Sequence, residues 1–533
     1  MTNKILSACC DAMNSFSVQM ESAFMRGFTG VQLLGYTTEV CRDGLERAKA
    51  ALEDLGINIP QKKIIINLLP ADIKKDGSQF DLAFSLVLAL LLKEEPPAIE
   101  LKNWMFTAEL GIDGQLHPIK NVISYAIEAA RHGLTGIVVP PENKRELSSL
   151  QRIDPSALNH LKILSFHKLS EVIDWIYGLE PMLQSCGLEQ NPEAEQAPSA
   201  GSNFNDMLLN PELSKLALVV ATGFHSLFLY GAPGTGKSMF SARLQSIFPP
   251  LDKNTHLEVL KIHSSFSAKI PSCLFKGSPP FRAPHHQASA AAVLGVPENP
   301  GEISLAHGGI LFLDEFPEFR RDIIESLREP LETGMVHISR AKHKVCWKAK
   351  IVLLAACNLC PCGWYGSTKK RCMCPTQKIL SYRRKIAGPV VDRIDLHVNL
   401  FEKKINQTSL FLQLNKAKNE SKHTESMRIK VQTAREFSQK RNKDWGILHN
   451  SEIAPIHLME ASKLDQVEFS NIVNKYIPTN ISQRSLIRSL RIARTLADID
   501  LRDKINEEDI AAAVSWQPEV AGKKRGDAAL GLM

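Results

Sequence analysis

Apolar positions along the chain fall into two patterns. Residues 43–55 and 122–132 place them three and four apart, which predicts amphipathic helices. Residues 457–476, 482–500 and, more briefly, 506–515 repeat that spacing. Short apolar runs bounded by turn or polar residues occupy 63–69, 136–140, 226–230, 309–313 and 350–356. Runs of this length predict strands, and the last three suit a parallel sheet covered on both faces. Strand and helix patterns therefore alternate to about residue 180, alternate again from 206 to 400, and give way to helices after 451. Between the first two blocks, residues 186–205 hold Glu, Gln, Pro, Ala, Ser, Gly and Asn with almost nothing to bury, as a linker does. The chain divides into segments 1–180, a linker at 181–205, 206–400, a basic connecting segment at 401–450, a helical region at 451–520 and a tail at 521–533. No internal repeat is present.

Composition narrows this picture. The 533 residues are 44% hydrophobic and 23% charged, the balance of a folded protein of about three domains. The longest apolar run, residues 82–92, is well short of the ~20 residues a membrane span needs. Residues 1–10 carry one early lysine and no extended apolar block, so neither a membrane anchor nor a signal peptide is expected, and the reading is cytoplasmic. The net charge of +7 is modest, but residues 416–443 hold nine Lys or Arg against three Glu. Such a segment is either a phosphate-binding surface or a solvated helix face.

One predicted strand, 226–230, leads straight into Gly231, Ala232, Pro233, Gly234, Thr235, Gly236, Lys237 and Ser238, followed by a helical pattern at 239–247. Strand, glycine-rich loop and helix in that order form a phosphate-binding loop. Glycines let successive backbone N–H groups turn toward phosphates, and the helix N-terminus adds partial positive charge. Lys237 supplies a cation to the β- and γ-phosphates of ATP, and Ser238 a hydroxyl to Mg²⁺. A second strand ends in Asp314 and Glu315. Beside the loop, Asp314 would hold the Mg²⁺ and Glu315 would polarise an attacking water, so hydrolysis is expected as well as binding.

The stretch Gly301-Glu-Ile-Ser-Leu-Ala-His-Gly-Gly-Ile-Leu-Phe-Leu-Asp-Glu315 resembles the Walker B region of the magnesium-chelatase-like AAA+ group. Arg328-Glu-Pro-Leu-Glu332, Ile338-Ser-Arg-Ala341 and Gly388-Pro-Val-Val-Asp-Arg-Ile-Asp-Leu396 match the same group. Within it the chain resembles the ComM/YifB family over nearly its whole length. The resemblance implies an α/β fold: an AAA+ parallel-sheet nucleotide-binding core, an α+β Lon-like amino-terminal domain and a carboxy-terminal helical lid. It assigns Asn358 as a sensor of the γ-phosphate, Arg393 as an arginine finger reaching a neighbouring subunit, and Arg484 as a second sensor on the lid. An arginine supplied in trans places active sites at subunit interfaces, which implies a homohexameric ring. The alternative for Arg393 is an ion pair within the chain, to Asp392 or Asp395.

Cys360, Cys362, Cys372 and Cys374 stand apart from the other seven cysteines as two closely spaced pairs. Four thiolates suit structural Zn²⁺, although one residue between partners is tighter than the common two to four. Redox-active or unrelated surface thiols are the alternatives. In the amino-terminal block, Lys75-Asp-Gly-Ser78 and the region from Leu116 to Leu147 resemble the proteolytic domain of Lon. Lon uses a Ser–Lys dyad, but here the lysine position falls on Ile123, with Lys120 nearby, and the serine position falls near Gln79. No peptidase activity is expected.

Two strand patterns flank a basic turn at residues 335–348, resembling the pore hairpin of related helicases. Arg340, Lys342 and Lys344 there, with Lys369, Lys370 and Arg371 in the cysteine loop, are the candidate DNA contacts. His285 and His286 belong to a family-like segment without an assigned role. Residues 205–210 lack the Gly-Gln usual in relatives, and residues 25–36 diverge. The expectation is an ATP-driven hexameric DNA motor, by resemblance a helicase promoting branch migration of DNA junctions in natural transformation and recombination. The rivals are a magnesium-chelatase-type ATPase and a protein remodeller acting without DNA.

Overall fold

The computed structural model describes residues 4–93, 95–158, 160–179, 203–207, 209–340, 343–367, 370–386, 388–400, 423–476 and 482–518. The amino-terminal block is built on β1 (Lys4–Asp11), β2 (Asn14–Met25), β3 (Gly30–Leu34), β4 (Lys63–Leu69), β5 (Trp104–Phe106), β6 (Gly136–Val139) and β7 (Lys162–Ser165). They form one sheet in the order β3-β4-β2-β1-β5-β6-β7. The β1–β2 and β2–β4 pairs are antiparallel and the rest parallel.

Alternate residues of a strand point to opposite faces, and both faces are covered. Ile5 and Cys9 pack under α1 (Glu39–Asp54) and α2 (Asp81–Leu92). Ala8, Met105, Ile137 and Val139 pack under α3 (Val122–Arg131) and α4 (Pro141–Ile153). The apolar run at 82–92 is thus an interior helix, buried at nearly every position.

The central block carries β8 (Leu227–Tyr230), β9 (Phe281–Arg282), β10 (Ile310–Leu313), the hairpin strands β11 (Met335–Arg340) and β12 (His343–Lys348), β13 (Val352–Cys357) and β14 (Leu396–Asn399). Five of these make a wholly parallel sheet, β9-β10-β13-β8-β14. Its helices include α5 (Pro211–Gly223), α6 (Lys237–Leu244), α7 (Lys253–Phe266) and the short α8 (Ala290–Leu294). The middle of the sheet is apolar: every residue of β10 and β13 is buried.

The amino-terminal block sits on α7. Val259 and Leu260 share a core cluster with Val122 and Ile123. Asn121 N–H donates to the Ser264 carbonyl at 2.9 Å, and Lys253 pairs with Asp154 at 2.9 Å. Glu146 accepts from Ile270 N–H at 3.1 Å, and burial raises its carboxyl to about 7.

After the core come α9 (His423–Asn442), α10 (Gln466–Tyr476), α11 (Gln483–Ile499) and α12 (Glu507–Ser515). The helical pattern at 457–476 is broken: a short helix, Leu458–Ser462, ends at Lys463 in the left-handed region, φ 54°. Asp465 then caps α10 by accepting from Val467 and Glu468 N–H.

The basic segment is partly outside the described residues, and in α9 three of its arginines bond to neighbouring elements, while Lys430 and Lys440 are exposed. Arg435 forks onto the Ala221 carbonyl, Arg428 onto the Ser246 carbonyl, and Arg441 onto Asp498. Those three arginines serve packing. Among the described residues no helix is long and apolar enough to cross a membrane.

Candidate nucleotide-binding site

Parallel pairing sets the site. Tyr230 lies opposite Cys357, and Leu313 opposite Ala355, so β8, β10 and β13 end at one edge of the sheet. Their following residues, Gly231, Asp314 and Asn358, emerge side by side, where open α/β sheets bind ligands.

In the loop, Gly234 and Gly236 have φ of 76° and 89°, a region L side chains rarely adopt. Gly231 is needed for a different reason: a Cβ there would lie 2.5 Å from the Leu400 carbonyl oxygen. Lys237 opens α6 and is almost wholly buried. Its Nζ donates to the Gly231 carbonyl at 2.8 Å, the Ala232 carbonyl at 3.0 Å and Asn358 Oδ1 at 3.1 Å. Burial holds its pKa below the ordinary lysine value, while Cys357 and Asp314 oppose that shift. Ser238 Oγ donates to Asp314 Oδ2 at 2.5 Å. The Lys237–Asn358 and Ser238–Asp314 pairs thus stand on adjacent residues at the start of α6.

Glu315 has φ 53° and its N–H donates to Asp314 Oδ1 at 2.9 Å. That turn leaves its carboxylate more than half exposed, and Oε2 lies 3.3 Å from His286 Nδ1. Local sequence gave no sign of this neighbour, because β9 carries it in from 29 positions upstream.

Arg393 and Arg484 stand elsewhere. Arg393 donates to the Pro389 carbonyl and to Glu332 Oε1, and its side chain is buried. Its partner within the chain is therefore Glu332, not Asp392 or Asp395; Asp395 is engaged by His225 and by Ser226 N–H. Arg484 is exposed in the first turn of α11. From the same helix Arg488 donates to the carbonyls of Asp392 and Ile394, at 2.7 and 2.8 Å, gripping the backbone on both sides of Arg393. Residues 203–207 lie along α6, where Arg243 forks onto Asp206 with two 2.6 Å bonds.

The four cysteines converge. All four Sγ atoms lie within 4.8 Å of one another, with separations of 3.3, 3.6 and 3.6 Å among Cys360, Cys362 and Cys372. Zn–S bonds of ~2.3 Å in a tetrahedron put sulfurs about 3.8 Å apart, so the set needs little movement to hold the ion. Tyr365 N–H donates to Cys360 Sγ, the kind of outer contact that orients a thiolate ligand. This loop also touches the phosphate loop, since a Cβ on Gly363 would lie 2.6 Å from Pro233 Cγ.

The hairpin β11–β12 runs in register from Met335 opposite Lys348 to Arg340 opposite His343. Val336, Val345 and Trp347 anchor it in the core. Arg340 ends β11 and Lys344 is exposed on β12, while Lys342 lies outside the described residues. In the cysteine loop Lys370 sits over the Trp364 ring at 5.4 Å and Arg371 is exposed; Lys369 lies outside the described residues.

In the amino-terminal block Ile123 is fully buried, and Ser78 Oγ donates to Glu109 at 2.5 Å. Lys120 Nζ donates to Asn299 in the central block at 3.2 Å.

Comparison with known proteins gives three matches to models of one family: magnesium chelatase, subunit ChlI, over residues 204–409; subunit ChlI of Mg-chelatase over 20–143; and the ChlI C-terminal region over 421–517. The protein YifB of Salmonella typhimurium is 31% identical over 509 residues, 95% of each chain. Competence protein ComM of Haemophilus influenzae is 30% identical over 507 residues, 94% of this chain and 95% of ComM. Lon protease of Syntrophomonas wolfei is 24% identical over 209 residues, 37% of this chain and 24% of Lon.

Proposed function

The chain belongs to the family of YifB and competence protein ComM, magnesium-chelatase-like AAA+ proteins, and on that footing we propose that it is an ATP-driven motor that works on DNA as a homohexameric ring. The observation that carries the reading is the pairing of Lys237 with Asn358 and of Ser238 with Asp314, with Glu315 beside them, at one edge of a parallel sheet.

In this reading the loop N–H groups and Lys237 bind the phosphates of ATP. Nζ is already turned toward the loop and exchanges its carbonyl contacts for phosphate oxygens. Ser238 and Asp314 would hold Mg²⁺, which when bound offsets phosphate charge. Glu315 orients a water whose oxygen bonds to the γ-phosphorus as the bridging P–O bond to ADP breaks. Asn358, tied to Lys237, responds to the γ-phosphate. Arg393 would leave Glu332 to reach a neighbouring subunit's nucleotide, and Arg484 would reach it from the lid. Arg340, Lys342, Lys344, Lys369, Lys370 and Arg371 would track DNA phosphates. The amino-terminal block, with Ile123 where Lon has its lysine, is a docking module and not a peptidase.

DNA enters this proposal through the family and through the competence role that ComM is named for. Its specific form is branch migration of junctions during natural transformation and recombination. The test is ATP turnover by the purified chain alone, with single strands and with a branched junction. Strong stimulation by DNA, greatest with the junction, is expected. Turnover indifferent to every DNA would move the assignment to a magnesium-chelatase-type or protein-remodelling ATPase.

The cysteine cluster is proposed to hold structural Zn²⁺. Metal analysis should return one zinc per chain in the purified protein. Cys362→Ser combined with Cys374→Ser should bring it close to none and weaken ATP turnover through the Gly363–Pro233 contact. A chain that is metal-free as isolated yet fully active would remove zinc from the account.

A further inference from the structure

The segment from Ala283 to Ser289 joins β9 to α8 and takes no part in the assignments above. Its course is set by pairing: Phe281 lies opposite Ile310 and Arg282 opposite Leu311, in parallel. The chain leaving β9 therefore travels alongside the chain leaving β10, toward Asp314 and Glu315. Arg282 is fixed by a fork onto Glu302, with bonds of 2.5 and 2.6 Å. Pro284, with its restricted φ, limits the freedom of the next turn.

His286 follows, and its ring is held on two sides. It meets the buried Phe319 edge-on, centroids 6.4 Å apart at 81°, and lies against His285 at 4.1 Å. From that seat Nδ1 approaches Glu315 Oε2 at 3.3 Å. Glu315 needs such a partner. Its carboxylate is more than half exposed, and an exposed glutamate samples many rotamers that must be given up when the side chain is fixed. Histidine has only two side-chain torsions, and this one is mostly buried, with Phe319 and His285 against its ring.

We propose that His286 is the positioning residue for Glu315: it holds one carboxylate oxygen and leaves Oε1 free to orient the attacking water. This rests on the reading of Glu315 as the group that activates water. At 3.3 Å the two groups are within ion-pair distance but not in hydrogen-bond geometry, so the bond proposed here forms by a small adjustment of the carboxylate, as contacts of this kind commonly tighten when substrate binds.

Two substitutions separate the N–H from the ring. His286→Phe keeps a ring against Phe319 and His285 but has no N–H to offer. His286→Asn loses the ring but carries a donor the same number of bonds from the backbone as Nδ1. Measured with Glu315→Gln in parallel, His286→Phe should lower kcat about 10-fold with KM and nucleotide affinity unchanged, as expected for loss of a hydrogen bond to a charged group. His286→Asn should recover most of that loss, and His286→Phe should cost nothing more in the Glu315→Gln background.

Unchanged kcat in His286→Phe, while Glu315→Gln is inactive, overturns the inference alone. Equal loss in the Phe and Asn variants reduces His286 to packing and also overturns it. Faster turnover in His286→Phe would mean that the histidine restrains the carboxylate, the opposite of the proposal. Full turnover by Glu315→Gln would overturn the assignment of Glu315 and this inference with it.

Discussion

Glu315→Gln is expected to lower ATP turnover about 100-fold or more and to leave nucleotide binding nearly unchanged. The two effects separate because the carboxylate takes no part in the group that would hold ATP. Lys237 bonds to the loop carbonyls and Asn358, and Ser238 bonds to Asp314, so the phosphate and Mg²⁺ ligands persist in the variant. Glutamine keeps the length of the side chain and an oxygen that His286 can hold, so its position should also survive. What disappears is the negative charge that orients and polarises the water. Asp314→Asn would be a poorer test, since it weakens the partner of Ser238 and disturbs binding as well. Steady-state turnover together with a nucleotide-affinity measurement decides the matter. A Glu315→Gln protein turning over at the parent rate would show that another group activates the water.

The parts of this site that a reader of the sequence can find are those written as contiguous motifs. The run from Gly231 to Ser238 states its own conformation, because the turns at Gly234 and Gly236 require glycine and the next residue begins a helix. Asp314 and Glu315 are legible because an apolar strand ends on them. Asn358 is legible only through family resemblance: what makes it a partner of Lys237 is that β13 lies between β8 and β10, a fact of sheet order.

Contacts between distant segments leave no local trace. His286 reaches Glu315 through the parallel register of β9 and β10, and Glu332 reaches Arg393 across 61 positions. Charge counting is blind in the same way, for it registers Arg428, Arg435 and Arg441 as a surplus without showing that each caps a carbonyl or a buried carboxylate. The uninterrupted helix read at 457–476 fails where Asp465 competes for backbone N–H groups and starts a new helix.

Asp498→Ala is expected to be the most damaging single change outside the nucleotide site. Asp498 is fully buried on α11 between two guanidiniums. Arg441 meets it with bonds of 2.7 and 3.0 Å and Arg494 with one of 3.1 Å, while Asn450 donates to it at 2.6 Å. Alanine would leave two arginines, one with no exposure at all, without their carboxylate. Breaking a buried pair from one side costs about 3–5 kcal/mol, which in a unit of this size lowers the melting midpoint by on the order of 10 °C. Lys504→Ala, which removes a half-exposed partner of Glu468, should cost under about 1 kcal/mol and serves as the control.

The damage should reach the nucleotide as well. Asn450 also donates to Thr495, whose hydroxyl meets His225 at 2.9 Å, and His225 meets Asp395 two residues from Arg393. His225 immediately precedes Ser226, which leads into β8 and the phosphate loop, while Arg484 sits on the same helix as Asp498. One buried chain of hydrogen bonds thus ties the lid to both sides of the site. Nucleotide affinity in Asp498→Ala, measured well below its melting midpoint, should fall. If stability drops and affinity holds, the network supports the fold but does not transmit lid position to the site.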